Sequence, residues 1–390
     1  MMLLTSALIF CLASAQIPLP EGEIRAEGSD FFGLVSGAPS GNDFVQVTGA
    51  GEYAVARNTQ GELTAWGTDR YGLVSDTPTG SGHQYVNGSY LNCLAIDVNG
   101  AIVGWGKDRH GVVSGPPSGT DFVQVATAGQ TGLALRSNGS MVGWGLDYYK
   151  LITDIPPEND FIQIGSGGNT FWALRADGSL EVWGFNLSKI VSDAPTTTGF
   201  RQVAMASDYG IAVHWSGQLI TWGDTSPAPA GSHYIDVGIA NRRPIALSCQ
   251  GKVYEWIRHG TLTAIGTGVV GLSDSSTGLK TFGIGRSQHL LRVEHLPHAG
   301  SQIQISLGKG TVGSMAYLAG SLNPGSTHLP GFNVTLNLDN PRMLGHGKTT
   351  NSDGAVRWRF NLPPRMAGQV FYLQAYQHSF TSNLLTIPVL

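Results

Sequence analysis

The chain has 390 residues, long enough for two domains with cores of full size. Its 54 glycines are about twice the usual share and its charged residues, at 13%, about half of theirs, a balance that suits short strands joined by tight turns and excludes a helical bundle. A net charge of −4 provides no basic field for nucleic acid and no polybasic segment for anionic lipid, so neither partner is expected.

Residues 1–15 read as a signal peptide: an apolar run from Leu3 to Leu12 leads to Ala13-Ser14-Ala15, a small-residue cleavage site before Gln16. No Lys or Arg precedes the run, a departure from the usual charged start. The expectation is a secreted, cell-surface or periplasmic protein. No later segment approaches the ~18 apolar residues of a membrane span, so membrane insertion is not expected. Cys11 leaves with the leader; Cys93 and Cys249 stand on related strands four repeat units apart, too distant to bridge, and are read as two buried free thiols.

From residue 20 a repeat begins. Trp-Gly pairs at Trp66, Trp105, Trp144, Trp183 and Trp222 recur every 39 residues, and Trp256 follows after a shortened unit of 34. Each Trp closes a short strand that starts after a turn glycine (Gly61, Gly100, Gly139, Gly178, Gly217, Gly251), with an apolar residue two places on. Asn99, Asn138 and Asp177 stand before three of those glycines and predict two-residue type I′ hairpin turns. The partner strands carry Ala54-Val55, Ala95-Ile96, Ala134-Leu135, Ala173-Leu174, Ala212-Val213 and Ala246-Leu247, small-then-aliphatic pairs that suit an inner strand near a crowded axis. Before each lies another strand, such as Phe44-Val45-Gln46-Val47 or Phe122-Val123-Gln124-Val125. Proline in the connection between units (Pro39, Pro78, Pro117, Pro156, Pro195) marks an edge or crossover.

After Trp256, Thr281–Ile284 and Leu290–Val293 begin a seventh unit, yet no Gly-strand-Trp follows before Pro297. Glu21–Gly28 aligns with Gln60–Gly67 at a distance of 39 residues and supplies the missing strand. The fold expected is all-β: a seven-bladed β-propeller over residues 20–297, closed by its N-terminal strand, with Ile24 beside Leu291. From Ala299 to Leu390 the pattern changes to strands at Gln302–Leu307, Ser314–Leu318, Asn333–Leu338, Ala355–Leu362, Val370–Tyr376 and Leu384–Leu390, read as a small β-sandwich.

The Trp-Gly ending, the Ala-Leu strand and the turn glycine together resemble the regulator-of-chromosome-condensation repeat family, over roughly residues 20–297. Within it the chain is similar to the secreted bacterial type, such as the propeller-type β-lactamase inhibitor protein. Glu27 in place of the first Trp and Ile257 in place of the last Gly depart from the pattern. The resemblance implies the propeller fold and a protein-binding habit, and brings no catalytic residue, metal or cofactor.

Three motifs that could carry chemistry have plainer readings. Gly308–Gly313 matches GxGxxG, but the glycines, Asn323 and Pro324 that follow do not make the helix a phosphate cradle needs. His289, Glu294, His295 and His298 surround Pro297, which breaks any helix that would align them as metal ligands. Asp30, Asp69, Asp108, Asp147 and Asn186 recur three residues after the Trp position, and a residue repeated in every copy serves the loop backbone before it serves a ligand.

What varies between copies is a better guide. The turns leading into the Ala-Leu strands carry Tyr53, Tyr90, Asn92, Gln130, Asn169, Trp172, Asp208, Tyr209, Arg242, Arg243, Arg286 and His289, rich in the side chains that dominate binding hot spots. A second set follows each Trp: Arg70-Tyr71, Arg109-His110 and Tyr148-Tyr149. The expectation is a non-enzymatic binding or scaffold protein that holds a protein or glycan on one propeller face. Its rivals are a propeller lyase or hydrolase acting on a polysaccharide and a structural component of the cell envelope.

Overall fold

The computed structural model describes residues 22–256, short interruptions aside, and beyond them the backbone of the strands between Leu262 and Pro388. Each repeat unit is an antiparallel sheet whose strands pair in chain order. The first holds β1 of another sheet at its border and consists of β2 (Phe44–Ala50), β3 (Tyr53–Asn58) and β4 (Leu63–Gly67), where β1 is Glu23–Glu27. The second has β5 (Tyr85–Gly88), β6 (Asn92–Ile96) and β7 (Ile102–Gly106); the third β8 (Phe122–Ala128), β9 (Thr131–Arg136) and β10 (Met141–Gly145). The fourth has β11 (Phe161–Ser166), β12 (Thr170–Arg175) and β13 (Leu180–Gly184); the fifth β14 (Phe200–Met205), β15 (Tyr209–His214) and β16 (Leu219–Gly223). The sixth, β17 (Tyr234–Ala240), β18 (Arg243–Ser248) and β19 (Lys252–Trp256), gains a fourth strand, β20 (Leu262–Thr267).

The hairpin glycines work differently from the type I′ expectation. In the second sheet Gly100 N donates to Asp97 O (3.1 Å) and Asp97 N to Ala101 O (2.9 Å), closing a loop of Val98, Asn99 and Gly100. Only Gly100 takes a positive φ, +84°, so the turn is type I followed by a left-handed glycine. Asp97 Oδ1 accepts from the amides of Asn99 and Ala101 (2.8 Å each), which makes this longer loop the better-satisfied choice. A Cβ on Gly100 would lie 2.3 Å from Thr120 O, so the next sheet's approach demands glycine as well.

Neighbouring sheets are joined at three levels. The turn glycine's carbonyl accepts from the residue that opens the next sheet: Gly61 from His83 (3.0 Å), Gly100 from Phe122 (3.2 Å), Gly139 from Phe161 (3.3 Å), Gly178 from Phe200 (3.0 Å) and Gly217 from Tyr234 (3.1 Å). In the first strands a glutamine reaches across. Gln46 Nε2 donates to Val86 O (2.8 Å) while its Oε1 accepts from Val86 N (3.2 Å), and Gln124 Oε1 accepts from Ile164 N (2.9 Å). The indoles form the third level: Nε1 of Trp66, Trp105, Trp144, Trp183 and Trp222 donates to the carbonyl of Leu34, Leu73, Val112, Leu151 and Ile190 in the connection before its own sheet, at 2.9 to 3.1 Å.

The strands that lie side by side from sheet to sheet are β2, β5, β8, β11, β14 and β17. The Ala-Leu strands expected at the axis are instead the middle strands, and their small residues answer to burial from both sides. Ala54, Val55 and Ala56 are fully buried, because each middle strand is covered by a sheet on either face.

A further sheet joins the two ends of the repeat region, in the order β21 (Val269–Leu272), β22 (Thr281–Gly285), β1. Ile24 pairs with Ile284, not with Leu291 as the repeat alignment implied. The strand Leu290–Val293 (β23) pairs instead with β24 (Gln302–Gly308), and β24 with a strand at Val356–Asn361. The reason is that residues 257–297 lack the Trp and turn-glycine markers, so the sequence offers two candidate middle strands and only long-range pairing chooses between them. Strands at Met315–Ser321, Val334–Leu338, Val370–Gln377 and Leu385–Pro388 fall where expected. Pro324 opens a strand to Leu329, a position proline tolerates. Beyond Gly308 the GxGxxG match lies outside the described residues, and the element that follows it is the strand beginning at Met315. Residues 1–15, Cys249 and His295 to His298 lie outside the described residues. Cys93 is a buried free thiol that donates to Asn87 O (3.3 Å), and burial pushes its pKa up.

Candidate functional site

The two loop sets that the sequence presented as alternatives share one end of the sheets. Tyr53 is paired with Gly67, Asn92 with Gly106, Thr131 with Gly145, Thr170 with Gly184 and Tyr209 with Gly223, so each middle strand starts where the Trp strand ends. Thr68 N donates to Glu52 O (2.8 Å), Lys107 N to Leu91 O (2.8 Å), Leu146 N to Gln130 O (3.0 Å), Phe185 N to Asn169 O (3.0 Å) and Asp224 N to Asp208 O (2.9 Å). The turns and the post-Trp loops are therefore tied together into a single surface, with the glycine hairpins at the far end.

Four of the residues expected on that surface are buried between sheets. Tyr53 is 1% exposed, and its Oη donates to Ser89 O (2.8 Å) in the second sheet. Asn92 is buried, its Oδ1 accepting from Ser89 Oγ (2.9 Å). Trp172 packs with Leu174, Val203 and Trp222 of its own and the next sheet, and Tyr209 with Tyr234 and Val237. Strand alternation normally leaves one face wet, but a middle strand between stacked sheets has no wet face, so aromatics that open β3, β12 and β15 point into the core. Tyr90 and Asn169 are exposed, and Gln130 and Asp208 half-buried. Arg243 is exposed and paired with Glu255. Arg242, Arg286 and His289 lie outside the described residues.

The post-Trp loops are built on their recurrent acids. Asp69 Oδ1 accepts from Val74 N and Ser75 N (2.9 Å each), Asp147 Oδ1 from Ile152 N (2.7 Å) and Thr153 N (3.3 Å), and Asn186 Oδ1 from Val191 N (2.9 Å) and Ser192 N (3.2 Å). Asp30 and Asp108 do the same in their loops. Amide and hydroxyl donors hold the pKa of Asp69, Asp108 and Asp147 below the usual carboxylate range: backbone amides of Ser75 and Val74 first at Asp69, the side chains of Ser114 and Thr153 first at the other two. The ring of acids is a set of loop caps. Among the described residues no three His, Cys, Asp or Glu side chains gather as a metal site would require.

Each cap holds the next residues in a shape that presents a side chain. Tyr71 (φ 61°), His110 (φ 54°) and Tyr149 (φ 58°) occupy the left-handed region, where bulky residues are rare and which costs of order 1–2 kcal/mol each. Tyr71 Oη accepts from Lys107 Nζ (3.3 Å), whose ammonium also lies 4.3 Å from the Tyr71 ring centroid, and the Arg70 guanidinium is 5.1 Å from the same ring. Lys107, then Arg70, draw the Tyr71 pKa below its ordinary value. Thirty-six residues apart, as Tyr71 and Lys107 are, Tyr149 and Phe185 stack at 4.2 Å, with Tyr148 4.1 Å from Tyr149. Tyr90 covers Gly51, where a Cβ would come within 2.8 Å of its ring. Lys107 and Phe185 were missed in the sequence because the contact runs at an offset of 36, across the 39-residue columns of the repeat. Of the five large apolar side chains that remain exposed among the described residues, Tyr71 (39%), Tyr90 (50%) and Tyr148 (59%) share this end, whereas Val98 (62%) lies in a far-end hairpin and Ile162 (42%) near the start of β11.

No protein-family model matches the chain, and no curated protein matches its sequence. Solved structures do. Prp20p of Saccharomyces cerevisiae, the yeast RCC1, studied for its binding to Gsp1p and histones, superposes with a TM-score of 0.55 at 14% identity over 70% of this chain and 93% of its own. Human WBSCR16 gives 0.51 at 14% identity, over 64% and 88%, and the ectodomain of the Physcomitrella patens receptor kinase CR4 gives 0.51 at 17%, over 65% and 75%. At such identities the likeness shows the fold, an RCC1-like β-propeller. Among the described residues no helix is long and apolar enough to cross a membrane.

Proposed function

We propose that this chain is a secreted, non-enzymatic binding or scaffold protein whose propeller closes as a ring of seven blades and holds a protein partner on the end that carries Tyr71, Tyr90 and Tyr148. The observation behind the binding surface is the concentration of those exposed tyrosines, with Arg70 and Lys107, on the end where both loop sets emerge. Monomeric surfaces seldom leave large aromatics uncovered in company, and Tyr and Arg are the residues that contribute most to protein interfaces. Closure is supported by repetition of the junction chemistry between the last blade and the first. There Gly22 and Phe44 exchange backbone hydrogen bonds (2.8 and 3.1 Å) and Trp66 reaches Leu34 beyond β1, while at the junction of the sixth blade with the last Asp236 Oδ2 takes the glutamine's place by accepting from Leu272 N (2.8 Å). Strands from β23 onward form a C-terminal β-sandwich acting as spacer or docking module.

The test uses the full mature chain as bait for surface extract of the producing cell, with Tyr90→Ala/Tyr148→Ala on the proposed end and Val98→Ser on the far end. Saturable capture that the double variant loses by at least about tenfold, and Val98→Ser keeps, is the expected outcome. Equal capture by all three proteins, or loss only with Val98→Ser, rejects the assignment of the face.

A further inference from the structure

Resting on that reading, we infer that the Arg70–Tyr71–Lys107 cluster beside Tyr90 takes an acidic peptide segment of the protein partner. The two cations converge on one tyrosine ring. Although Arg109, Lys150 and Lys189 of the other post-Trp loops likewise form no ion pair among the described residues, several other arginines of the blades are engaged by acids or by backbone and amide oxygens. Arg136 is paired with Asp121, Arg175 with Glu158 (3.4 Å), Asp160 (3.0 Å) and Glu181 (2.7 Å), and Arg243 with Glu255. Arg201 donates to Tyr234 O (2.6 Å) and Arg57 to Gln46 Oε1 (3.3 Å). Among the described residues Arg70 and Lys107 have no carboxylate at ion-pair distance, although Asp69 and Asp108 are their chain neighbours; those carboxylates are turned into their own loops to accept Val74, Ser75 and Val113 amides. The Glu52 carboxylate acts on Arg70 only from beyond ion-pair distance, and raises its pKa less than the neighbouring Tyr71 does.

Two positive charges thus lean on one ring from neighbouring blades, and their donors remain open to solvent. The guanidinium offers a planar fork that matches a carboxylate, and the ammonium a point charge that accepts a second one from any direction. The left-handed backbone at Tyr71 fixes the ring, and the ring fixes the cations, so part of the ordering cost of binding is met before the ligand arrives. Tyr90, half exposed on the same side, supplies an apolar wall for the side chain between two acids.

The probes are two fluorescein-labelled peptides of equal length, one alternating Glu and Gly and one alternating Gln and Gly, titrated with the full chain and read by anisotropy. The glutamate peptide is expected to bind with an affinity that falls as salt rises, and the glutamine peptide at least about tenfold more weakly. Arg70→Gln/Lys107→Gln should weaken the glutamate peptide by about tenfold while Val98→Ser, at the far end, leaves it unchanged. Both peptides binding alike, or the double variant binding as the parent does, overturns the inference. If the native partner is captured through Tyr90 and Tyr148 yet the peptides are indistinguishable, the face stands and the acidic class falls. Dependence of the glutamate peptide on Arg70 and Lys107 supports the class even where no native partner is captured.

Discussion

The junction of the first two blades and that of the fifth and sixth are built from equivalent residues, but only the first is fully satisfied. At the former, Trp105 Nε1 donates to Leu73 O (3.1 Å) and Tyr53 Oη to Ser89 O (2.8 Å). At the latter, Trp256 and Tyr209 fill the same slots, 1% and 4% exposed, and neither polar atom has a partner among the described residues. The cause is the 34-residue unit: Trp222 and Trp256 are five residues closer than their predecessors, and Thr225 stands where the other units have a capping Asp or Asn. Without that cap no full loop brings a carbonyl to the indole, and the one at Ser226 already accepts from Thr221 Oγ1 (3.1 Å). Burial of the indole survives the deletion while, among the described residues, its hydrogen bond does not, so the strand supplies the packing and the loop supplies the acceptor.

The largest expected effect separates the two indoles. Trp105→Phe keeps an aromatic in the slot but leaves the Leu73 carbonyl only the long bond from Thr77 Oγ1 (3.4 Å), and should cost about 2 kcal/mol in chemical denaturation. Trp256→Phe removes a donor with no acceptor among the described residues and should cost about 1 kcal/mol or less, through volume alone. Equal losses at the two positions would show that the loop carbonyl contributes nothing and that the indoles act by packing alone.

The tyrosines repeat the contrast on a smaller scale. Tyr53→Phe should destabilise by about 1 kcal/mol by removing a bond between blades, whereas Tyr209→Phe should be neutral or stabilising, since it deletes a buried hydroxyl with no partner among the described residues. Burial first, and the Asp208 carboxylate after it, push the Tyr209 phenol to a higher pKa, so the hydroxyl stays neutral throughout the accessible range. A destabilisation at Tyr209 as large as that at Tyr53 would mean that a hydrogen-bonding partner closes on it in solution.

Much of this was legible before any coordinates, and the rest was not, for physical reasons. Trp66, Trp105 and their successors were readable because every copy needs the same indole in the same slot, and Gly100 because no other residue fits its backbone and its neighbour's carbonyl. The identity of β22 as partner of β1 was not, since pairing at long range leaves no mark in a segment without Trp or turn glycine. Tyr53, Trp172 and Tyr209 were taken for surface because period-two alternation cannot reveal that both faces of a strand are covered. The shared end of the two loop sets follows from register, Tyr53 opposite Gly67, and register is fixed only when strands pair.

The smallest effect concerns the loops themselves, where four full-length units differ by one atom type: Asp69, Asp108 and Asp147 cap their loops with carboxylates and Asn186 caps its own with an amide. A carboxyl whose pKa is lowered by folding stabilises the native state above its unfolded pKa, and that contribution disappears as pH falls through the lowered, folded value. All three acids are shifted in this direction by the loop donors, so the blades that carry them should lose loop stability on acidification, below the ordinary carboxylate range. The loop at Asn186 has no such dependence. Amide exchange of Val74, Val113 and Ile152, compared with Val191 down an acid series, reads the difference directly, after correction for intrinsic exchange. The triple variant Asp69→Asn/Asp108→Asn/Asp147→Asn should make the four loops respond alike, because an amide oxygen accepts the same backbone bonds without titrating. Persistence of the acid response in that variant would place its origin outside the caps.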